Sequence, residues 1–141
     1  MENLNKATIT KQQTTQVIDN IYKLEKVEGR QIQEIHVGDL QISKDELSIK
    51  EYLLKGNESY YKQDYKDTIK LYDRALEIKP DDELALNNKG LALNNLGKYN
   101  KSIEWYDKAL EIKPDHEMAL NNKRLTQEKL EEDKEKTCII K

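Results

Sequence analysis

The sequence is poor in cysteine, proline, glycine and aromatic residues: in 141 residues there are one cysteine, Cys138, two prolines, five glycines and no phenylalanine. A single cysteine excludes a disulfide within the chain. No apolar run approaches the length that spans a bilayer, and the opening MENLNKATITKQQTTQVIDN lacks the hydrophobic stretch of a signal peptide. The expected compartment is the cytoplasm, with no membrane partner. Net charge is −3 and the two signs alternate closely, so there is no basic field of the kind that attracts nucleic acid. No glycine-rich phosphate loop is present. His36 and His116 have no cysteine or acidic partner at metal-ligand spacing and read as ordinary surface residues. With one cysteine and two scattered histidines there is no nucleophile constellation, so the expectation is a non-enzyme without metal or cofactor. Cys138-Ile139-Ile140-Lys141 has the length of a prenylation box, but lysine is a poor final residue, and the segment reads as a frayed tail.

What is present is a repeat. Residues 75–89, ALEIKPDDELALNNK, return as ALEIKPDHEMALNNK at 109–123, an offset of 34 residues with two differences. Lys55-Gly56, Tyr65, Ile69 and Tyr72 return as Lys89-Gly90, Tyr99, Ile103 and Tyr106. That period is the length of one helix–turn–helix unit in a stacked array. Within each unit Tyr65, Ile69, Tyr72 and Leu76, or Tyr99, Ile103, Tyr106 and Leu110, fall at helical spacing and form one apolar stripe. Ala75 and Ala109 are small where two helices must approach closely. Pro80 and Pro114 end these helices, and the next helix is expected to start near Asp82 or Asp115, whose carboxylates suit a first turn. Gly97 marks the turn inside the second unit.

This pattern resembles the tetratricopeptide repeat. The family's signature positions are filled by Tyr52, Gly56, Thr68, Tyr72, Ala75 and Pro80 in the first unit. In the second they are Leu86, Gly90, Leu93, Ser102, Tyr106, Ala109 and Pro114. Lys55 and Lys89 depart from the usual leucine before glycine, a change tolerable if the stem lies on apolar surface and the head stays wet. Thr68 and Ser102 depart from the usual alanine. A third unit opens with Ala119, Leu120, Asn121, Asn122 and Lys123, but Arg124 stands at the glycine position and EEDKEK follows Leu130. The reading is two repeats, 44–82 and 83–116, a capping helix at 117–136 and a tail at 137–141.

Residues 1–43 form an N-terminal extension outside the period. Val17, Ile18, Ile21, Tyr22 and Leu24 indicate an amphipathic helix over about 10–27. EIHVGDLQIS, within 34–43, places short apolar runs on either side of Gly38-Asp39. As a β-hairpin it pairs Val37 with Leu40 and Ile35 with Ile42; a helix is the alternative. Ser43-Lys44-Asp45-Glu46 reads as a capping box. Two repeats and a cap fall short of the three units such arrays need. The extension therefore covers the first repeat of its own chain, makes a homodimer through residues 10–42, or is a tail that orders only with a partner.

The fold class expected is all-α, a solenoid of antiparallel helix pairs, and the resemblance implies a ligand groove lined by the first helix of each pair. The first repeat contributes Leu53, Asn57, Tyr60 and Tyr61 to that groove; the second contributes Asn87, Asn88, Leu91, Asn94 and Asn95; the cap contributes Asn121, Asn122 and Leu125. Asparagine offers a donor and an acceptor together, so a row of them can bond a peptide backbone of any sequence. Asn88 and Asn122 resemble the asparagine ladder in the repeats of O-linked N-acetylglucosamine transferase; the bland counterpart is Asn and Lys enrichment of any exposed surface. The two-carboxylate clamp of chaperone cochaperones keeps only Asn57 and Asn88 here. Its basic slots hold Leu53, Met118 and Asn122, which cannot make charge-assisted bonds. Trp105 reads as packing or lightly exposed. The expected function is an adaptor that holds an extended peptide or a partner helix. The alternative is a self-assembling structural subunit whose N-terminal segment docks into a neighbour.

Overall fold

The computed structural model describes residues 11–28, 34–37 and 40–139. Six helices and one strand pair follow in order: α1 (Lys11–Glu28), β1 (Glu34–Val37), β2 (Leu40–Ser43), α2 (Lys44–Tyr61), α3 (Tyr65–Ile78), α4 (Glu83–Asn95), α5 (Tyr99–Ile112) and α6 (Glu117–Ile139). The fold is the all-α solenoid: α2 packs on α3 and α4 on α5, the two pairs meet through α3 and α4, and α6 closes the stack on α5.

Each start and stop has a local cause. Ser43 caps α2 with a full capping box, its hydroxyl accepting from the Glu46 amide at 3.1 Å while the Glu46 carboxylate accepts from the Ser43 amide at 3.2 Å. Asp64 and Asp82 cap α3 and α4 through the amides of Asp67 and Ala85. At α6 the cap is His116 rather than Asp115. It is buried, and its Nδ1 accepts from the Ala119 amide at 3.2 Å. His116 stands 34 residues after Asp82, so the repeat itself assigns it the capping position, and it is not the surface residue its isolation suggests. The α3–α4 and α5–α6 turns run through Pro80 and Pro114.

Tyr72 and Tyr106 are the largest fully buried side chains, each closing the angle inside its own pair. A Cβ built on Gly56 would lie 2.5 Å from the Tyr72 ring, and one on Gly90 would lie 2.6 Å from the Tyr106 ring. Any side chain there would push the helices apart. The hydroxyls at the alanine positions are absorbed by backbone oxygens: Ser102 donates to the Gly90 carbonyl at 2.6 Å and Thr68 to the Asp64 carbonyl at 2.8 Å.

The extension forms the antiparallel pair rather than the alternative helix, in the register Val37↔Leu40 and Ile35↔Ile42; the Gly38-Asp39 loop lies outside the described residues. Ile18 and Ile21 of α1 are buried with Ile42 and Leu47, and Val17 packs on this cluster. The side chains of Tyr22, Leu24, Ile35, His36, Val37 and Leu40 lie outside the described ones. α1 lies along the α2 face that carries Glu51, Leu54 and Glu58, with a crevice of about 150 Å³ between them. The matching positions of α4 and α6 are Ala85 and Ala92, and Ala119 and Thr126, all buried against the preceding pair. Glu51 and Glu58 thus stand where α4 and α6 carry small buried residues, and α1 rather than a repeat pair lies along them. At the other end α6 runs to Ile139, past the expected boundary at 136, and its residues 131–138 are exposed.

The two intra-pair turns differ in one respect. Gly97 and Gln63 occupy the same repeat position with φ of 75° and 62°, and no atom lies within 4 Å of a Cβ built on Gly97. A left-handed residue other than glycine costs about 1 kcal/mol. Gln63→Gly should therefore raise stability and Gly97→Ala lower it, each by about 1 kcal/mol, as read by urea denaturation. Opposite signs would mean the turn conformation differs from this one.

Candidate interaction surface

The side chains expected in the groove divide between those committed to the fold and those left open. Asn87 is only 1% exposed and belongs to the core, not to a ligand surface. Its amide donates to the Asn88 oxygen at 3.2 Å, and its own oxygen accepts from the Asn122 amide at 3.1 Å. The chain Asn122→Asn87→Asn88 thus ties α6 to α4. Thr126 donates to the Asn94 oxygen at 3.2 Å, a second tie between the same helices. Asn95 donates to the Tyr60 hydroxyl at 2.8 Å, joining α4 to α2, and to the Leu91 carbonyl at 2.9 Å. Asn57 accepts from the Tyr72 hydroxyl at 2.6 Å. Asn121 is exposed and accepts from Arg124 at 3.0 Å. Leu53, Asn57, Tyr60, Asn88, Leu91, Asn94 and Asn122 are half-buried, whereas Tyr61, Asn95 and Leu125 are exposed. Most of the amide row is therefore already hydrogen-bonded within the fold.

The two buried tyrosines show how one substitution between repeats alters this chemistry. Leu91 stands where the first repeat has Asn57, and the Tyr106 hydroxyl has no hydrogen-bond partner among the described residues. Burial pushes the Tyr72 hydroxyl up to about 12, with the neighbouring Asn88 amide opposing the shift. Burial raises Tyr106 as well. Both rings favour the neutral form in the fold. The stability they lend is complete below the ordinary tyrosine value of 10.0 and drains above it, for Tyr72 as pH climbs toward about 12.

A second concave feature lies away from the amide row. A groove of about 710 Å³ runs between α3 and α5 over an apolar lining of Leu76, Pro80, Leu86, Trp105 and Ile112. Lys89 and Lys108 place their ammonium groups 3.6 and 3.9 Å from the Trp105 ring centroid. Lys89 also meets Asp73 at 2.5 Å, and the repeat-related Lys123 meets Asp107 at 2.6 Å. Lys89 and Lys123 are thus ion-pairing residues between successive units, and the Lys89 side chain is only 12% exposed, whereas Lys55 pairs with Glu51 of its own helix and is 57% exposed. Sequence reading missed this groove, although the 16-residue Asp–Lys spacing present in both units is visible in the chain. Also missed was a tyrosine cluster. Tyr60 lies edge-on to Tyr61 at 6.1 Å and 81°, and to Tyr65 at 5.4 Å and 64°. Among the described residues no group of three or more His, Cys, Asp or Glu could hold a metal ion, and no helix is long and apolar enough to cross a membrane.

Comparison with known proteins matches this architecture. The family model described as "Tetratricopeptide repeat" matches residues 84–116, and one described as "TPR repeat" matches residues 56–97. Among solved structures, the TPR2B domain of yeast Sti1, in a complex titled as holding pHsp70, is 27% identical with a TM-score of 0.59, over 61% of this chain and 69% of that one. The Sgt2 TPR domain from Aspergillus fumigatus is 24% identical with a TM-score of 0.58, over 61% of this chain and 57% of that one. The TPR2AB domain of yeast Sti1, titled as a complex with pHSP90, is 24% identical with a TM-score of 0.59, over 87% of this chain and 43% of that one. The chain thus spans about half of the latter two. No curated protein matches it in sequence.

The tyrosine pair supplies a direct check on the hydrogen-bond assignment. Tyr72→Phe removes a hydroxyl that is bonded, and should cost about 1 kcal/mol. Tyr106→Phe removes one that is buried and unpaired, and should be neutral or stabilising. Thermal melts of the two variants decide it; equal losses would mean that the Tyr106 hydroxyl has a partner.

Proposed function

We propose that this chain, a tetratricopeptide-repeat protein, is a protein–protein interaction adaptor that holds an extended peptide along the faces of α2, α4 and α6. Interaction with other proteins is what the family fold serves, and the solved neighbours include the TPR2B domain of yeast Sti1 in complex with pHsp70. The observation that carries the finer reading is the set of side-chain bonds joining successive first helices, Tyr60 to Asn95 and Asn87 to Asn122. They tie three helices into one polar face before any ligand arrives, so little ordering entropy remains to be lost on binding. That face offers amides and hydroxyls but no cluster of cations, which suits a peptide backbone better than an acidic terminus.

The self-assembly reading has weaker support. A dimer through residues 10–42 would draw on the apolar face of α1, and Ile18 and Ile21 are already buried against Ile42 and Leu47 of the same chain.

Two measurements test these readings. Asn88 and Asn122 are half-buried, so each can turn an unused polar atom toward a ligand. Replacing both by alanine should weaken binding of unrelated extended peptides by roughly 5- to 100-fold, with little dependence on salt. The same change should lower stability by about 2 kcal/mol, because both side-chain bonds of the buried Asn87, to Asn88 and from Asn122, are lost. Unchanged affinity, or a loss confined to acidic C-terminal peptides, would defeat the backbone-clamp reading. Separately, sedimentation of the full chain at several concentrations should show a monomer, and removal of residues 1–43 should lower stability without changing the mass state. A full-length dimer that the truncation turns into a monomer would favour self-assembly instead.

A further inference from the structure

Tyr60 and Tyr61 break the repeat. Their counterparts are Asn94 and Asn95 in the second unit and Glu128 and Lys129 in α6, so an aromatic cluster exists at one end of the row of first helices and nowhere else along it. Tyr61 is 84% exposed, an exposure far above what its size would predict for a residue with a packing role. Tyr60, Tyr61 and Tyr65 touch edge to face, which leaves ring faces uncovered where parallel stacking would hide them.

The polar groups beside these rings have a polarity of their own. The Tyr60 oxygen accepts from Asn95, which turns the hydroxyl hydrogen away toward any acceptor that arrives. Burial raises the pKa of Tyr60, so that hydrogen is retained through the physiological range. The Asn57 oxygen is taken by Tyr72, which leaves the N–H groups of Asn57 as donors one turn along the same stripe. The stripe Leu53, Asn57, Tyr60, Tyr61 carries no charge. It therefore combines open aromatic faces with surplus donors and no cation.

We propose that this stripe, with Tyr65 beside it, is the docking site for an uncharged proline-rich segment of a partner protein in the polyproline II conformation. The inference rests on the groove reading above and narrows its occupant. A proline-rich segment has carbonyls but few N–H groups, so it matches a surface with surplus donors. Its extended helix is preformed, with three residues per turn, and packs pyrrolidine rings between aromatic side chains at little entropic cost. A carboxylate terminus would find no cation among the residues of the stripe itself. An ordinary extended strand would bring N–H groups that meet few free acceptors.

The test uses the full chain and two uncharged, end-blocked peptides of equal length, one proline-rich and one proline-free, titrated calorimetrically. The proline-rich peptide should bind about tenfold more tightly. Tyr61→Ala should weaken it by about 5- to 10-fold while leaving the melting temperature unchanged, since the ring is exposed. Tyr61→Phe, which keeps the ring, should bind within about twofold of the parent. Equal affinity for the two peptides, or proline-rich binding that ignores Tyr61→Ala, overturns the inference. Binding of the proline-free peptide alone also overturns it and leaves the broader groove reading standing. If neither peptide binds, both readings fail.

Discussion

In each helix pair a tyrosine ring lies close against the bare backbone of a glycine on the partner helix. Tyr72 meets Gly56 and Tyr106 meets Gly90, both so closely that a Cβ would overlap the ring. This contact sets how near the two helices come and buries the largest of the fully buried side chains among the described residues. The other features of the array follow from it. Ala75 and Ala109 are wholly buried because helices at this separation admit only small groups beside the ring. Ser102 fits where alanine is usual because its hydroxyl reaches the Gly90 carbonyl across the same short gap.

The same contact explains how the array ends. Arg124 occupies the glycine position in α6, and among the described residues no ring packs against it; it pairs instead with Glu128 at 2.6 Å and with Asn121. A further unit could not pack there at the glycine distance. At the other end Glu51 and Glu58 replace the alanines that receive a preceding pair, and α1 lies along them at a looser fit. Leu120 shows the consequence at the open end, being 48% exposed where its repeat counterpart Leu86 is buried. Two repeats are thus bounded on one side by charge and on the other by bulk.

Recognition chemistry has to share residues with this scaffold. The buried Asn87 and its two neighbours in the amide chain hold helices together, which gives the face rigidity and leaves it less free hydrogen-bonding capacity than a count of asparagines suggests. Side chains with surplus capacity concentrate near α2, where Asn57 and the tyrosines lie, while the groove beside Trp105 carries its charges largely in pairs.

Much of the fold was legible in the chain, because helical period, proline stops, capping residues and a 34-residue repeat are all local or short-range signals. The pairings in the hairpin and the capping box at Ser43 followed from the same local rules. The repeat even contained the role of His116, since its counterpart Asp82 is a cap, though a lone histidine gave no reason to look. What the sequence alone could not decide was which of its polar side chains face a ligand. Asn87 and Asn121 are the same repeat position, yet one is buried between α4 and α6 and the other is exposed, because only the first has a further helix stacked upon it. Likewise Tyr72 and Tyr106 are equivalent in the chain, and only the tertiary contact with Asn57 or Leu91 decides whether the hydroxyl is bonded. Periodicity determines which face of a helix turns inward. The crossing of successive helices determines which atoms then meet, and that depends on the packing of the whole stack.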